Sequence, residues 1–535
     1  MNSKAWHIRG LFLYVLLLFS PVCAKAQTGV DISQYVQLNA TLSSGNNAPF
    51  WLSANRQGVS SLETSNGFAR YGATADGRID SCGNWRYTGG VSVIAGYNRE
   101  RSVSLQELYA GITWKNISLI AGLEERSPEM RGLPSLNKAG CCDNGVYSRL
   151  YGNALSELGS GGLLYSGNSS PIPQIRIEIP HYIAIPGTEN WLKIRGHFSY
   201  GILLDHKFQE KFTRVNPTAK YGKNILYHSK ALFLKLGNEE KFPLEVEGGL
   251  EMHSLFGGDF YTHERGKYLS MPRGVKDFFK AIVPLGGDET TPAPEQANIS
   301  GNQIGNWHLA FTLKTKPVDI RVYGEHLFED FSQLFFFEYQ SNRNGKRTLT
   351  FYPWRDIQVG ISVTNKSGFL KFVRNIQYEY VSMYDQSGAG YNDPNEYFQE
   401  QMDGIDDYYN HSIYPGWHYY GMGIGNPLAV SPLYNSNGSL VFSGNRFKAH
   451  TVGVNGAFAK NDALRYRMLY TYSENWGTYF NPFNRKKYTT SLLGDVVFVP
   501  GEGKWIFSLS LACDRSNYIG NNWGAMLSIA RIGNF

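Results

Sequence analysis

The chain of 535 residues carries 58 glycines, 35 tyrosines, 31 phenylalanines and 11 tryptophans, with 18% charged residues and a formal net charge of +6. So aromatic and weakly charged a composition excludes a disordered chain, and a mean hydropathy of −0.32 excludes a bundle of transmembrane helices. Glycine and tyrosine in excess, with few long apolar runs, point to an all-β protein.

At the N-terminus, Lys4 and Arg9 precede an unbroken apolar run from Leu11 to Phe19, and Ala24-Lys25-Ala26 offers a small-x-small cleavage site. This is the pattern of a secretory signal peptide over residues 1–26, too short to span a bilayer. Val22 before Cys23 argues for ordinary cleavage rather than lipid attachment. Removal of Lys4, Arg9 and Lys25 leaves residues 27–535 with a small charge that gives nucleic acid no footing. Cys82, Cys141, Cys142 and Cys513 remain in an exported compartment that permits disulfides, and adjacent Cys141 and Cys142 would be strained if bridged to each other.

Period-two alternation then recurs along the chain. Trp85, Tyr87, Gly89, Val91, Val93, Ala95 and Tyr97 share one face. Trp307, Leu309, Phe311 and Leu313 alternate with His308, Thr312 and Lys314, and Ile357, Val359, Ile361 and Val363 alternate with Gln358, Gly360, Ser362 and Thr364. Leu464 to Tyr472 and Trp505 to Leu511 repeat the pattern. Such segments are strands with one apolar and one polar face.

The connections separate a membrane barrel from a soluble β protein. Lys115-Asn116, Asn238 to Phe242, Lys316-Pro317, Asn365 to Gly368, Lys460 to Ala463 and Pro500 to Lys504 are short turns. They largely alternate with long segments at 124–172, 204–228, 254–305, 327–352 and 383–447. A transmembrane antiparallel β-barrel segregates its connections in this way, with tight periplasmic turns and long outer loops. About nineteen strands can be marked out. An even number is required when both termini lie on the periplasmic side, and turn parity drops Tyr35 to Leu42, leaving about 18. No apolar run in the exported chain reaches the ~18 residues of a spanning helix, whereas a closed barrel satisfies every backbone group without one. Within the loop at 254–305, Val275, Phe278, Phe279 and Ile282 predict a short amphipathic helix against the barrel mouth or lumen, followed by a Pro-rich connector from Asp288 to Ala297.

No phosphate-binding loop, Gly-x-Ser-x-Gly elbow or metal-ligand spacing is present, so the reading is non-enzymatic, without cofactor or metal. The informative loop is 391–434. Tyr408, Tyr409 and Trp417 offer flat faces, and Asp406, Asp407 and Asn410 offer partners for hydroxyl groups, the mixture by which sugars are held. Two readings stay open for these six residues: contact with polysaccharide, and a large loop folded on itself and anchored by its aromatics. Asp403, Asp406 and Asp407 also present hard oxygens, though not at the spacing of a calcium loop.

The segment Leu158 to Ile177 has a Gly/Ser-rich turn (Gly159 to Gly162), a short apolar strand (Leu163 to Tyr165), Asn168, and Pro171 with Pro173. It resembles the capsule assembly (Wzi) family, as do Trp191 to Gly201, Asn224 to Met252, Tyr408 to Leu428 and Trp476 to Phe483. The resemblance covers roughly residues 30–535. It implies an outer-membrane barrel of about eighteen strands with a lectin-like role, holding exported capsular polysaccharide or exopolysaccharide at the cell surface. Polysaccharide, outer-membrane lipid and a polysaccharide export complex are the partners it implies. The chain departs from the family twice. Residues 27–60 show no helical bundle ahead of the barrel, and Ser169-Ser170 stands where Ala-Arg often follows the Asn, which removes one potential lumen-facing cation. Two other functions stay open: an outer-membrane hydrolase, although any large chain supplies a Ser, a His and an Asp, and a channel for small solutes, since an eighteen-stranded barrel passes water unless loops fill it. The loops at 124–172 and 254–305 supply enough chain to fill it.

Overall fold

The computed structural model describes residues 30–126, 158–283, 301–329, 338–341, 347–350, 355–392, 402–458, 463–501 and 503–534. The segment 1–26 read as a signal peptide, Cys141, Cys142 and the Pro-rich connector lie outside them. Eighteen strands form one antiparallel sheet. The first, Val30–Ser44, pairs with Ser65–Arg78 on one side and with the last, Asn522–Asn534, on the other, so the sheet closes into a barrel. The expected number of strands is met, with one correction. Tyr35 to Leu42, set aside on turn parity, lies inside the first strand and forms the closing seam.

Alternation decides which way each side chain points. In the first strand Tyr35, Gln37, Asn39 and Thr41 are buried towards the lumen, while Val36, Leu38 and Leu42 face outwards. In the strand Trp505–Ser516, Leu509 is 43% exposed and its neighbour Ser510 only 4%. In a soluble protein this outer row of Leu, Val and Phe would be an aggregation surface; in a bilayer it meets acyl chains. Trp85 and Trp114, with ring centroids 6.2 Å apart, mark the interface at one rim. Among the described residues no helix is long and apolar enough to cross a membrane. The closed sheet with its outward apolar rows makes the protein an outer-membrane β-barrel.

The connections sort by rim. The short ones at 79–84, 115–116, 185–191, 237–243, 315–317, 366–372 and 499–504 share the rim from which the first strand starts and at which the last ends. At the two-residue turn Lys115 takes a left-handed φ of 53°, as a tight hairpin requires. The opposite, outer rim carries the connections 45–64, 124–173, 203–225, 257–301, 330–356 and 383–445, with three short ones at 98–102, 478–481 and 517–521.

The hydrophobic core is made by these outer loops packed against inward-facing strand residues such as Leu255, Leu327, Phe447 and Leu469. Phe50 and Trp51 of the short helix Phe50–Ser53, Leu163 and Leu164, Phe260, Tyr408, Tyr409, Trp417 and Phe442 form one buried cluster within the barrel. A small second cluster, including Tyr35, Val497, Ile506 and Ile532, lines the lumen towards the short-turn rim.

The amphipathic segment is helical over Val275–Ile282, but neither in the lumen nor over the mouth. Phe278 packs on Tyr200 and Phe256, each 5.1 Å between ring centroids, and the Tyr200 hydroxyl donates to the Phe278 carbonyl at 2.6 Å. Tyr200 and Phe256 alternate with inward-facing Ser199 and Leu255, so they stand on the outer wall. The helix lies there with Phe279 64% exposed. A helix with apolar residues on more than one side suits a wall bathed in lipid better than an aqueous lumen.

Candidate functional site: a loop plug and its outer rim

Three segments distant in sequence meet at Asn168. Its side-chain oxygen accepts from the Asn55 backbone N–H at 3.2 Å, and its amide donates to the Gly423 carbonyl at 3.1 Å. The Gly/Ser turn, apolar strand and Asn singled out in the sequence are thus the keystone of the plug. Gly425 is required because a Cβ there would collide with the Tyr409 ring and the Leu163 carbonyl.

Carboxylates of the barrel wall hold the plug by its backbone. Glu379 accepts from the Ser160 N–H at 2.6 Å and from its hydroxyl at 2.9 Å. Glu325 accepts from the Leu163 N–H at 3.0 Å, and Asp514 from the Phe50 N–H at 2.9 Å. Glu329 accepts from the Tyr409 N–H at 2.7 Å. All four carboxylates are buried, where a hydrogen bond is stronger than it is in water. Arg101 donates to the Ser170 hydroxyl at 2.8 Å and stands 3.8 Å over the Tyr420 ring. A cation missing from position 170 in the sequence therefore reaches the same place from the loop 98–102.

The structure brings the six candidate sugar-binding residues together, but turns them inwards. Tyr408, Tyr409 and Trp417 have 0% exposure. The Tyr408 hydroxyl donates to Asp356 at 3.4 Å, that of Tyr409 donates to the Leu163 carbonyl, and the Trp417 indole N–H donates to the Leu164 carbonyl at 3.0 Å. Burial pushes both Tyr408 and Tyr409 hydroxyls well above the ordinary tyrosine range. The aromatic faces of this trio are packed inside the plug, as in the reading of a loop folded on itself and anchored by its aromatics. Asp407 accepts from the Asn445 amide at 2.6 Å and the Asn410 amide at 3.1 Å. Burial raises the Asp407 carboxyl above its usual range despite these donors. Asn410 in turn makes two hydrogen bonds with the Phe442 backbone, at 2.8 and 3.0 Å. The Asp406 N–H donates to the Gln386 carbonyl at 3.1 Å. Asp406, Asp407, Tyr408 and Asn410 clamp the two ends of the loop 383–445 together, while Tyr409 and Trp417 anchor it on Leu163 and Leu164.

What the clamp presents outwards was not singled out in the sequence. Arg446 follows Asn445; its Nε donates to the Tyr384 carbonyl at 2.9 Å and its guanidinium lies 4.6 Å over the Tyr384 ring and 4.0 Å over Tyr479. Tyr384 meets Trp476 edge-on at 4.6 Å, Lys448 lies 4.6 Å over Tyr384, and Lys486 lies 5.3 Å over Trp476. These half-exposed rings and cations sit at the outer ends of the strands Arg446–Ala457, Leu464–Gly477 and Pro482–Phe498. The run Arg485-Lys486-Lys487 beside Tyr488 was the available signal. It reads as an ordinary strand end until pairing sets it beside Trp476.

Beneath the plug is a cavity of about 110 Å³, lined by Tyr165 and Arg126 from the loops and by His197, Glu251, His308 and Tyr323 from the wall. Towards the short-turn rim the wall charges pair with one another: Arg321 with Glu247 at 2.7 Å, Lys235 with Glu247 at 3.3 Å, and Lys314 with Glu245 at 3.1 Å. Cys82 and Cys513 are free and exposed.

No family model and no curated protein matches the sequence. Solved structures match the fold. Wzi of Escherichia coli is described as an outer-membrane protein involved in group 1 capsule assembly and a carbohydrate-binding β-barrel. It is 12% identical, with a TM-score of 0.51 over 92% of this chain and 83% of its own. OccAB4 of Acinetobacter baumannii is 7% identical, with a TM-score of 0.44 over 96% of this chain and all of its own. OccK5 of Pseudomonas aeruginosa is 8% identical, also at 0.44, over 95% and 98%. At such identities the likeness to Wzi is one of fold.

Proposed function

We propose that this chain is a non-enzymatic, lectin-like outer-membrane protein that holds capsular polysaccharide or exopolysaccharide at the cell surface. The observation that carries the reading is the solid packing of the outer loops. A barrel whose upper lumen is filled by buried aromatics, gripped by wall carboxylates, offers the outside a surface rather than a passage. Wzi, with which it shares the fold, is described as binding carbohydrate, and the sequence stretches noted above resemble that family.

The polymer surface in this reading is the rim of Tyr384, Tyr479 and Trp476 with Arg446, Lys448 and Lys486. Rings stack on sugar C–H faces, and the cations suit a polysaccharide bearing carboxylates or other acidic groups. Tyr408, Tyr409, Trp417, Asp406, Asp407 and Asn410 act from beneath as positioning residues, through Asn445 and the adjoining Arg446. Polymer delivered by an export complex would meet this rim first.

The test compares capsule retained on cells with capsule shed into the medium for an Arg446→Ala, Trp476→Ala double variant. Its level in the outer membrane is measured in parallel. Shedding at normal protein level is the expected result. Normal retention overturns the rim assignment, and large steady conductance of the purified wild type in planar bilayers would favour a small-solute channel instead.

A further inference from the structure

The geometry points to a zinc site in the lumen, directly under the plug, built by His197, Glu251 and His253. The two histidines come from strands separated in the sheet by Leu226–Leu236, so no spacing in the sequence announces the site. Each residue offers one ligand atom, and the three atoms lie within 4.8 Å of one another. His253 Nε2 already stands 2.9 Å from a Glu251 carboxylate oxygen. Ligand atoms on a four-coordinate zinc stand roughly 3.3 Å apart, given bonds of about 2.0–2.1 Å. Closing the set therefore takes side-chain shifts of an ångström or so and no movement of the barrel.

A fourth ligand is at hand. His308, on the strand Asn302–Lys314, places Nε2 3.8 Å from the other Glu251 oxygen. Outer partners orient the rings as they do around zinc elsewhere. The Tyr227 hydroxyl is 2.9 Å from His253 Nδ1, and the Ser229 hydroxyl is 3.1 Å from His197 Nε2. Both histidines are buried, which keeps competing water out. Imidazole nitrogens with one carboxylate are the donor set of zinc rather than of calcium or magnesium, which prefer all-oxygen shells. The competing cation is Arg126, which lines the same cavity within electrostatic reach of Glu251 and stacks 4.3 Å over Tyr165. The Trp417 ring of the plug lies 6.2 Å from that of His253. A metal here would tie three barrel strands together beneath the residues that close the lumen.

The experiment uses the full barrel purified in detergent, stripped with chelator, incubated with ZnCl2 and desalted. One zinc per chain by mass spectrometry is expected. Cobalt(II) in its place should give the visible absorption of a tetrahedral site. His253→Gln and His197→Gln should each weaken zinc binding at least 100-fold, His308→Ala should alter the cobalt spectrum, and His206→Ala, on the exposed outer rim, should change neither. Heat-modifiable gel migration checks that each variant is a folded barrel. Wild-type protein that is folded but retains no zinc, its Glu251 being neutralised by Arg126, overturns the assignment. So does zinc retained undiminished in both glutamine variants.

Discussion

Glu379, in the middle of a barrel strand, takes both the backbone N–H and the hydroxyl of Ser160, 219 residues earlier in the chain. One carboxylate thereby fixes the Gly/Ser turn of the plug to the wall. The Tyr323 hydroxyl donates to its other oxygen.

Glu379→Ala should therefore loosen the plug without opening the sheet. Three buried donors, the Ser160 N–H and hydroxyl and the Tyr323 hydroxyl, lose this acceptor, at about 1–3 kcal/mol each, while the strand ladder is untouched. Brief conductance openings in planar bilayers are expected where wild type shows few, with heat-modifiable migration retained. A variant as quiet as wild type would mean that Glu325, Glu329 and Asp514 suffice.

Trp417→Ala removes the largest fully buried side chain in the plug. The cost should be about 3–5 kcal/mol, borne by the loops. Limited proteolysis of outer-membrane preparations should then cut within 403–445, while the barrel still assembles. Under the proposed function the same variant sheds capsule, because the Asn445–Arg446 junction loses its support. Proteolysis unchanged from wild type would contradict the burial.

His418 gives the plug a pH dependence. Burial lowers its pKa from the ordinary histidine value to about 4, and neither ring nitrogen has a hydrogen-bond partner among the described residues. Folded, the ring stays neutral; unfolded, it takes a proton below about pH 6.5. Its contribution is whole above pH 6.5 and is lost as pH falls towards 4, on the order of 3 kcal/mol in all. His418→Phe should flatten the fall in plug stability over that interval, measured by proteolysis against pH. The share of His411, also lowered to about 4 by burial, would remain. An unchanged slope would show that His418 is not a source of the dependence.

Leu509→Arg places a charge at the lipid-facing centre of the strand Trp505–Ser516, at a cost of about 2–4 kcal/mol. Less protein should reach the heat-modifiable form. Ser508→Asn, one residue away but on the lumen side, should assemble normally. Equal assembly of both variants would refute the assigned orientation.

The barrel was legible because a membrane forces period-two alternation onto strands such as Trp307 to Leu313, and because tight turns such as Lys115-Asn116 leave a local signature. Turn parity misjudged Tyr35 to Leu42, whose place at the seam depends on a partner almost five hundred residues away. The candidate loop was legible as a cluster, but not in its orientation. A Tyr or Trp looks the same in sequence whether it stacks on a sugar or on Leu164. Trp417 and Tyr409 are turned inwards by partners at 163, 164 and 329. The rim of Arg446, Tyr384 and Trp476 was missed because its members come from two strands and a loop and meet only through strand register. The same holds for His197 and Glu251.

The seam between Val30–Ser44 and Asn522–Asn534 makes the two ends of the molecule mutually dependent. A nascent chain lacking its final strand would hold two rows of unanswered amides and carbonyls inside hydrocarbon, where each costs several kcal/mol. Translation must therefore deliver nearly every residue before the polypeptide can rest in the bilayer. A frameshift that removes only Asn522 onward would be as damaging as one that removes half the gene. The interior loops, too bulky to thread through a finished cylinder, have to be in place by the time that last pairing is made.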